Sequence, residues 1–245
     1  MALSLDKIGS EAPGLLSLAK QASEAIDLSG LNGQTAKVAL VLDYSGSMSR
    51  TYRSGAMQRL AEKVLALATQ FDDDGNIDFF VFDRHAAYLG EISLQDFAGS
   101  VDRLTKGRHM GTTNYAEAFL AVRDHFAPAK KGFFSSLRKA AAGPADQPVY
   151  ALFLTDGGPD SRTAAKEALI EVSRSPIFWK FLSIGSESMS FLEKLDSEVK
   201  GRLIDNANYQ PIGDVDKISD AELFAKMLEE FPDWLKEARA QGLIK

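Results

Sequence analysis

Two short stretches constrain the fold more than anything else in this chain. Residues 38–42 (Val-Ala-Leu-Val-Leu) and 149–154 (Val-Tyr-Ala-Leu-Phe-Leu) are near-continuous apolar runs, aliphatic or aromatic, with no polar alternation. A strand with one wet face alternates; an uninterrupted run marks a strand buried on both faces, as in a parallel sheet covered by helices. Each run then meets an acidic loop. Asp43 follows Leu42 directly, and Asp156 follows Leu154 and Thr155.

Residues 77–82 and 177–184 are two further apolar runs. Helical spacing lies between the runs. Met57, Leu60, Val64, Leu67 and Phe71 repeat at three and four, and so do Tyr115, Phe119, Val122 and Phe126. Residues 163–172 and 189–199 predict two more helices. Strands alternating with helices imply βαβ units, hence an α/β fold with a Rossmann-like, doubly wound, mostly parallel sheet and helices on both faces. A chain of 245 residues suits one large α/β domain with a small appendage. The appendage is residues 1–34, where Leu15, Leu18, Ala19, Ala22 and Ile26 predict a weakly amphipathic helix packed on the main domain, residues 35–245. At the other end, Ser219 and Glu222 form a capping box. It opens a closing helix that carries Leu223, Met227 and Leu228, followed by Phe231, Trp234 and Leu235. Residues 128–148 break the rhythm. Four basic residues surround Phe133, Phe134 and Leu137, which reads as a short amphipathic helix with its charges solvated.

Composition removes whole classes of function. The charge balance of 28 basic against 34 acidic residues gives −6. Proteins that bind nucleic acid through phosphates carry the opposite excess. The absence of cysteine excludes disulfides, thiol catalysis and Cys-ligated zinc. The three histidines are scattered, with no HxxxH pair. No apolar run approaches the ~20 residues that span a bilayer. Residues 1–8 lack the apolar core of a secretory signal. A cytoplasmic location is the expectation.

The chemistry sits in three loops. Asp43-Tyr44-Ser45-Gly46-Ser47-Met48 is a D-x-S-x-S arrangement directly after a buried strand. Gly111-Thr112-Thr113-Asn114 precedes a helix, and Leu154-Thr155-Asp156-Gly157-Gly158 again follows a buried strand. In open α/β sheets ligands bind beyond the carboxyl ends of the strands. Two carboxylates and three hydroxyls are hard oxygen donors, which suit Mg²⁺ or Mn²⁺, with Ca²⁺ ranked below them. Ser45 and Ser47, two apart in a turn, can converge on one ion. Thr113 can give a third oxygen. Asp43 and Asp156 can bind directly or orient waters. If they act through water, the direct protein ligands are neutral, and the ion favours an added anionic ligand such as a partner's carboxylate. Asp83 also ends a strand and reads as a turn former.

The set Asp43, Ser45, Ser47, Thr113 and Asp156 resembles the metal-ion-dependent adhesion site (MIDAS) of von Willebrand factor A domains, from about residue 35 to the C-terminus. The resemblance favours Thr113, which directly precedes Asn114, with Thr112 as the fallback. The resemblance implies a Rossmann-like sheet with one antiparallel edge strand, placed here at residues 86–92. It implies a metal-dependent protein-binding module with no catalytic residues. Residues 12–20, 38–48 and 80–83 further resemble the bacterial TerF-like branch of tellurium resistance systems. That branch implies a stress-resistance role, with other tellurium-resistance proteins as partners.

The rival readings are weaker. A Mg²⁺-dependent phosphatase or phosphotransferase using Asp43 as nucleophile normally needs a second Asp two residues on, where this chain has Ser45. No G-x-G-x-x-G follows the first strand, which argues against a dinucleotide enzyme, and no G-x-S-x-G elbow exists for a Ser-His-Asp hydrolase.

Overall fold

The computed structural model describes residues 2–72, 74–127, 145–185 and 189–245. The chain opens with α1 (Leu5–Glu11), a 3-10 turn at Pro13–Leu15 and α2 (Leu16–Leu28). The first strand, β1 (Lys37–Asp43), leads through a second 3-10 turn (Gly46–Met48) into α3 (Ser49–Arg53) and α4 (Ala56–Ala68). A hairpin follows, β2 (Asn76–Phe82) and β3 (Ala86–Ser93), then α5 (Ser100–Thr105) and α6 (Tyr115–Phe126). The second half alternates β4 (Val149–Thr155), α7 (Arg162–Val172), β5 (Ile177–Ile184), α8 (Ser190–Ser197) and β6 (Ala207–Gly213). It closes with α9 (Asp220–Leu228) and α10 (Phe231–Ala240).

The strands form one six-stranded sheet in the order β3-β2-β1-β4-β5-β6. Every pair is parallel except β2 with β3. The antiparallel edge strand lies where the resemblance put it. The chain leaves β1 toward β2 on one side and later enters β4 on the other. The carboxyl ends of β1 and β4 therefore flank the topological switch point, the usual ligand crevice of an open α/β sheet.

Both faces of the sheet are covered, which explains the apolar runs. All residues of β4 and β5 are buried. Their side chains alternate between two cores. Val38, Leu40, Leu42, Tyr150, Leu152, Leu154, Phe178 and Leu182 pack toward the layer of α1, α2, α4, α9 and α10. Ala39, Val41, Ala151, Phe153, Trp179 and Phe181 pack toward α6, α7 and α8. The second core is aromatic: Phe153 lies 4.6 Å from Phe82 and 4.9 Å from Tyr115, centroid to centroid. The N-terminal helices share the first core through Ile8, Leu15, Ala19, Ala22 and Ile26.

The structure corrects the sequence reading at several points. The helix expected to run from Met57 to Phe71 ends at Ala68; Phe71 is buried from the following turn. The single closing helix is two, α9 and α10, broken at Glu230, whose φ of 64° is left-handed. Strand β6 and the short helices α1, α3 and α5 were not anticipated. The basic connection expected as an amphipathic helix lies largely outside the described residues.

Candidate metal centre

Asp43 ends β1 and is fully buried. Its two oxygens are separately engaged. Asp43 Oδ1 accepts the backbone N–H of Ser45 at 2.8 Å, an Asx turn that swings the chain out of the strand. Asp43 Oδ2 accepts the hydroxyl of Thr155, the last residue of β4, at 2.6 Å. The Tyr52 hydroxyl of α3 donates to the Asp43 carbonyl at 3.0 Å. Burial raises the Asp43 carboxyl and the hydrogen bonds from Thr155 and Ser45 lower it; with Asp156 adding repulsion, the net is a pKa of about 6.

The turn after Asp43 brings the two serines together. Ser45 Oγ and Ser47 Oγ are 3.0 Å apart, and the Ser47 hydroxyl donates to Asp156 Oδ1 at 2.8 Å. The one proton of Ser47 goes to Asp156, so Ser45 is the donor within the pair. Asp43, Ser45, Ser47 and Asp156 thus form one connected set.

Thr113 belongs to the neighbouring loop. That loop is fastened to the site by an isolated parallel bridge between Ser45 and Gly111. Gly46 N–H donates to the Gly111 carbonyl at 3.1 Å, and Gly111 N–H to the Tyr44 carbonyl at 3.2 Å. A Cβ at Gly111 would sit 3.1 Å from both Cβ and Cγ of Asp83, tighter than ordinary contact, so the close approach of the loop to the end of β2 favours glycine. Asp83 itself accepts the His85 N–H at 2.8 Å as a turn former, and its carbonyl accepts the Asn114 N–H at 2.8 Å. The Thr113 backbone is held on both sides by Asp160, at 3.2 Å and 2.8 Å. Among the described residues, no hydrogen bond joins the Thr113 hydroxyl to the other four side chains. Thr113 is half-buried and Thr112 exposed.

Three supporting residues escaped the sequence reading. Thr155 holds Asp43. Tyr115, buried at the start of α6, donates to the Gly157 carbonyl and so leaves the Thr155 proton for Asp43. Asp160 sets the Thr113 loop. The hydroxyl of Thr155, beside Asp156 at a strand end, was the readable signal; nothing in the sequence pattern points to Tyr115 or Asp160.

The donor set fits a small hard cation. An octahedral ion with bonds of ~2.1 Å places adjacent oxygens about 3 Å apart. The 3.0 Å between the serine hydroxyls and 2.8 Å from Ser47 to Asp156 match that edge. The electrostatics agree. Among the described residues, no Lys, Arg or His forms an ion pair with Asp43 or Asp156, although Asp43 is wholly out of solvent. A buried carboxylate without a counter-charge is costly, and a divalent cation supplies one. Nor do three His, Asp or Glu side chains cluster for a metal anywhere among the described residues. The alternative to a hydroxyl-rich centre is therefore lacking there.

The comparisons agree with this architecture. A Bacillus subtilis protein, uncharacterized protein YcbR, is 39% identical over 212 residues, covering 86% of this chain and 82% of its own length. Proximal thread matrix protein 1 from the mussel byssus has the same fold at 14% identity, with a TM-score of 0.54 over 80% of this chain and 47% of its own. Its form with a zinc-occupied MIDAS motif gives 15% identity, a TM-score of 0.52, and coverage of 80% and 46%. The chain thus spans about half the length of these solved structures. Residues 35–244 match the vWA-TerF-like family, described as the vWA found in the TerF C terminus. A six-stranded sheet with one antiparallel edge and this match over most of its length make the chain a member of the vWA-TerF-like family of von Willebrand factor A domains.

Proposed function

We propose that this chain is a divalent-metal-dependent protein-binding module. Its site would hold Mg²⁺ or Mn²⁺ through Ser45, Ser47 and Thr113, with Asp43 and Asp156 as charge partners. The observation that carries the reading is the buried Asp43 carboxylate, without a basic partner, in a connected oxygen set with Asp156. When bound, the metal would act as a Lewis acid that accepts a carboxylate from a partner protein. The chain's own residues do the rest. Thr155 and the Ser45 amide orient Asp43; Ser47 links Asp156 to the turn; the Gly111 backbone sets the third loop against it.

Catalysis is not part of this reading. An aspartyl nucleophile needs a free oxygen, and both oxygens of Asp43 are engaged below the surface. Among the described residues no helix is long and apolar enough to cross a membrane. We place the module in the cytoplasm, with no membrane span and no nucleic-acid partner. The family name supports a setting in bacterial tellurium or toxic-cation resistance, with other proteins of that system as partners. Residues 1–34 are read as a helical extension that packs on the vWA domain, residues 35–245.

The test is titration calorimetry of Mg²⁺, Mn²⁺ and Ca²⁺ into chelator-treated protein, with Asp43→Ala as control. Saturable one-site binding lost in the variant is expected. Equal binding by the variant would remove the assignment.

A further inference from the structure

A second feature abuts the metal loops. A cavity of about 640 Å³ is lined by Tyr44, Tyr52, Arg53, Asp102, Arg108 and Met110, among others. It shares its wall with the candidate metal centre. Tyr44 lies between Asp43 and Ser45, its carbonyl receives the Gly111 N–H, and the Tyr52 hydroxyl is bonded to the Asp43 carbonyl.

The two guanidinium groups in that wall have no acidic partner. Arg53 Nε and Nη2 reach only Ser49, its carbonyl at 3.2 Å and its hydroxyl at 3.4 Å. Arg108 forms no side-chain hydrogen bond or ion pair among the described residues, and its Nε is buried with no hydrogen-bond partner. The other arginines that form ion pairs, Arg59, Arg103, Arg123 and Arg202, each meet an aspartate. Other arginines, such as Arg50, Arg84 and Arg174, also lack an ion pair among the described residues; what sets Arg53 and Arg108 apart is that both line one cavity. The Arg108 Nε lies out of solvent, so a ligand meets the terminal guanidinium nitrogens, which have no acceptor among the described residues and for which a carboxylate is a strong charge-assisted partner. The neighbouring loop adds exposed Lys106 and His109. Exposed Asp102 is the single opposing charge lining the cavity.

We propose that this cavity is a second anion subsite, which binds a carboxylate of the same partner segment whose first carboxylate goes to the metal. The partner is then an acidic polypeptide stretch with at least two carboxylates, and Arg53 and Arg108 set the preference for it over a lone acidic residue. This rests on the metal-dependent reading above and specifies its ligand.

The experiment uses a fluorescein-labelled octaglutamate peptide, which presents every spacing, in anisotropy titrations against the full chain with and without Mn²⁺. Mn²⁺ affinity is measured separately without peptide. Wild-type protein with Mn²⁺ is expected to bind the peptide. Arg53→Gln/Arg108→Gln is expected to lose tenfold or more of that affinity with Mn²⁺ binding unchanged. Asp102→Asn is expected to tighten the peptide. Ser47→Ala is expected to remove the Mn²⁺-dependent part only. Peptide affinity unchanged in the double arginine variant would overturn the subsite while leaving the metal reading intact. Peptide binding insensitive to Mn²⁺ and to Ser47→Ala, yet lost with the arginines, would support the subsite and contradict the metal reading. No binding of the peptide by any form would overturn the proposal.

Discussion

Thr155 and Asp43 end two adjacent parallel strands, and the Thr155 hydroxyl donates to Asp43 Oδ2 across 2.6 Å. This contact fixes the buried carboxylate at the switch point of the sheet. It also leaves Asp43 Oδ1 to the Ser45 amide, so strand pairing and loop geometry are coupled through one side chain.

Replacing Thr155 with Val keeps the shape and removes the donor. A hydrogen bond to a charged group contributes roughly 1.5–3 kcal/mol. The Asp43 carboxyl is expected to titrate above its present value of about 6. Mn²⁺ affinity at pH 7 is expected to fall by about tenfold or more, since ~1.4 kcal/mol corresponds to that factor. Calorimetry at two pH values reads both effects.

The Asp43 shift gives a pH dependence with a definite sign. Its folded pKa, about 6, lies above the ordinary 3.8, so the metal-free fold binds the proton more tightly than the unfolded chain. This contribution to stability is present below pH 3.8 and is lost as pH rises through 6. Metal competes with that proton, so Mn²⁺ affinity is expected to fall as pH drops below about 6. Asp43→Asn is expected to stabilise the metal-free protein at pH 7 by an amount on the order of 2 kcal/mol, and to abolish any gain on adding Mn²⁺. Thermal unfolding with and without metal checks the reversal.

Gly111→Ala tests the loop rather than a ligand. The added Cβ meets Asp83 at 3.1 Å, and Asp83 is anchored by the His85 N–H. The loop is expected to move off β2, carrying Thr113 with it. Metal affinity should weaken several-fold with little change in cooperative unfolding, followed by calorimetry and denaturant titration. Unchanged affinity would place Thr113 outside the site.

The readable part of this structure was the buried part. Residues 38–42 and 149–154 were legible as two-face strands because both faces are covered, and their acidic ends mark the candidate site. β6 was illegible for the opposite reason: it is an edge strand whose Asn208, Gln210 and Pro211 break any apolar run, and proline is tolerated there because one side needs no ladder bond. The break between α9 and α10 hid behind continuous spacing, since Leu228 to Phe231 and Trp234 keeps the helical phase. Pro232, near the start of α10, was the available signal. Within the candidate site, the grouping of Asp43, Ser45, Ser47 and Asp156 was legible through their order along the chain. Tyr115 and Asp160 were not, since their roles arise from long-range contacts to Gly157 and Thr113.

Lys180 provides a stability prediction independent of the site. It is fully buried in β5, donating to Asn208 Oδ1 and, at 3.0 Å, to the Glu229 carbonyl at the end of α9. Burial lowers its pKa to about 7, against an ordinary 10.5. The unfolded chain therefore holds more protons between those values, and stability is expected to rise with pH across that window. The slope near pH 8–9 is expected to approach 1.4 kcal/mol per pH unit. Lys180→Met should flatten it, as read from denaturant unfolding at several pH values; an unchanged slope would assign the dependence elsewhere.

The most direct test of the central claim is anomalous diffraction at the manganese edge from crystals grown with Mn²⁺. One strong peak is expected at about 2.1 Å from both Ser45 Oγ and Ser47 Oγ, on the side facing Asp156. A peak bound to other residues, or none at saturating Mn²⁺, would contradict it.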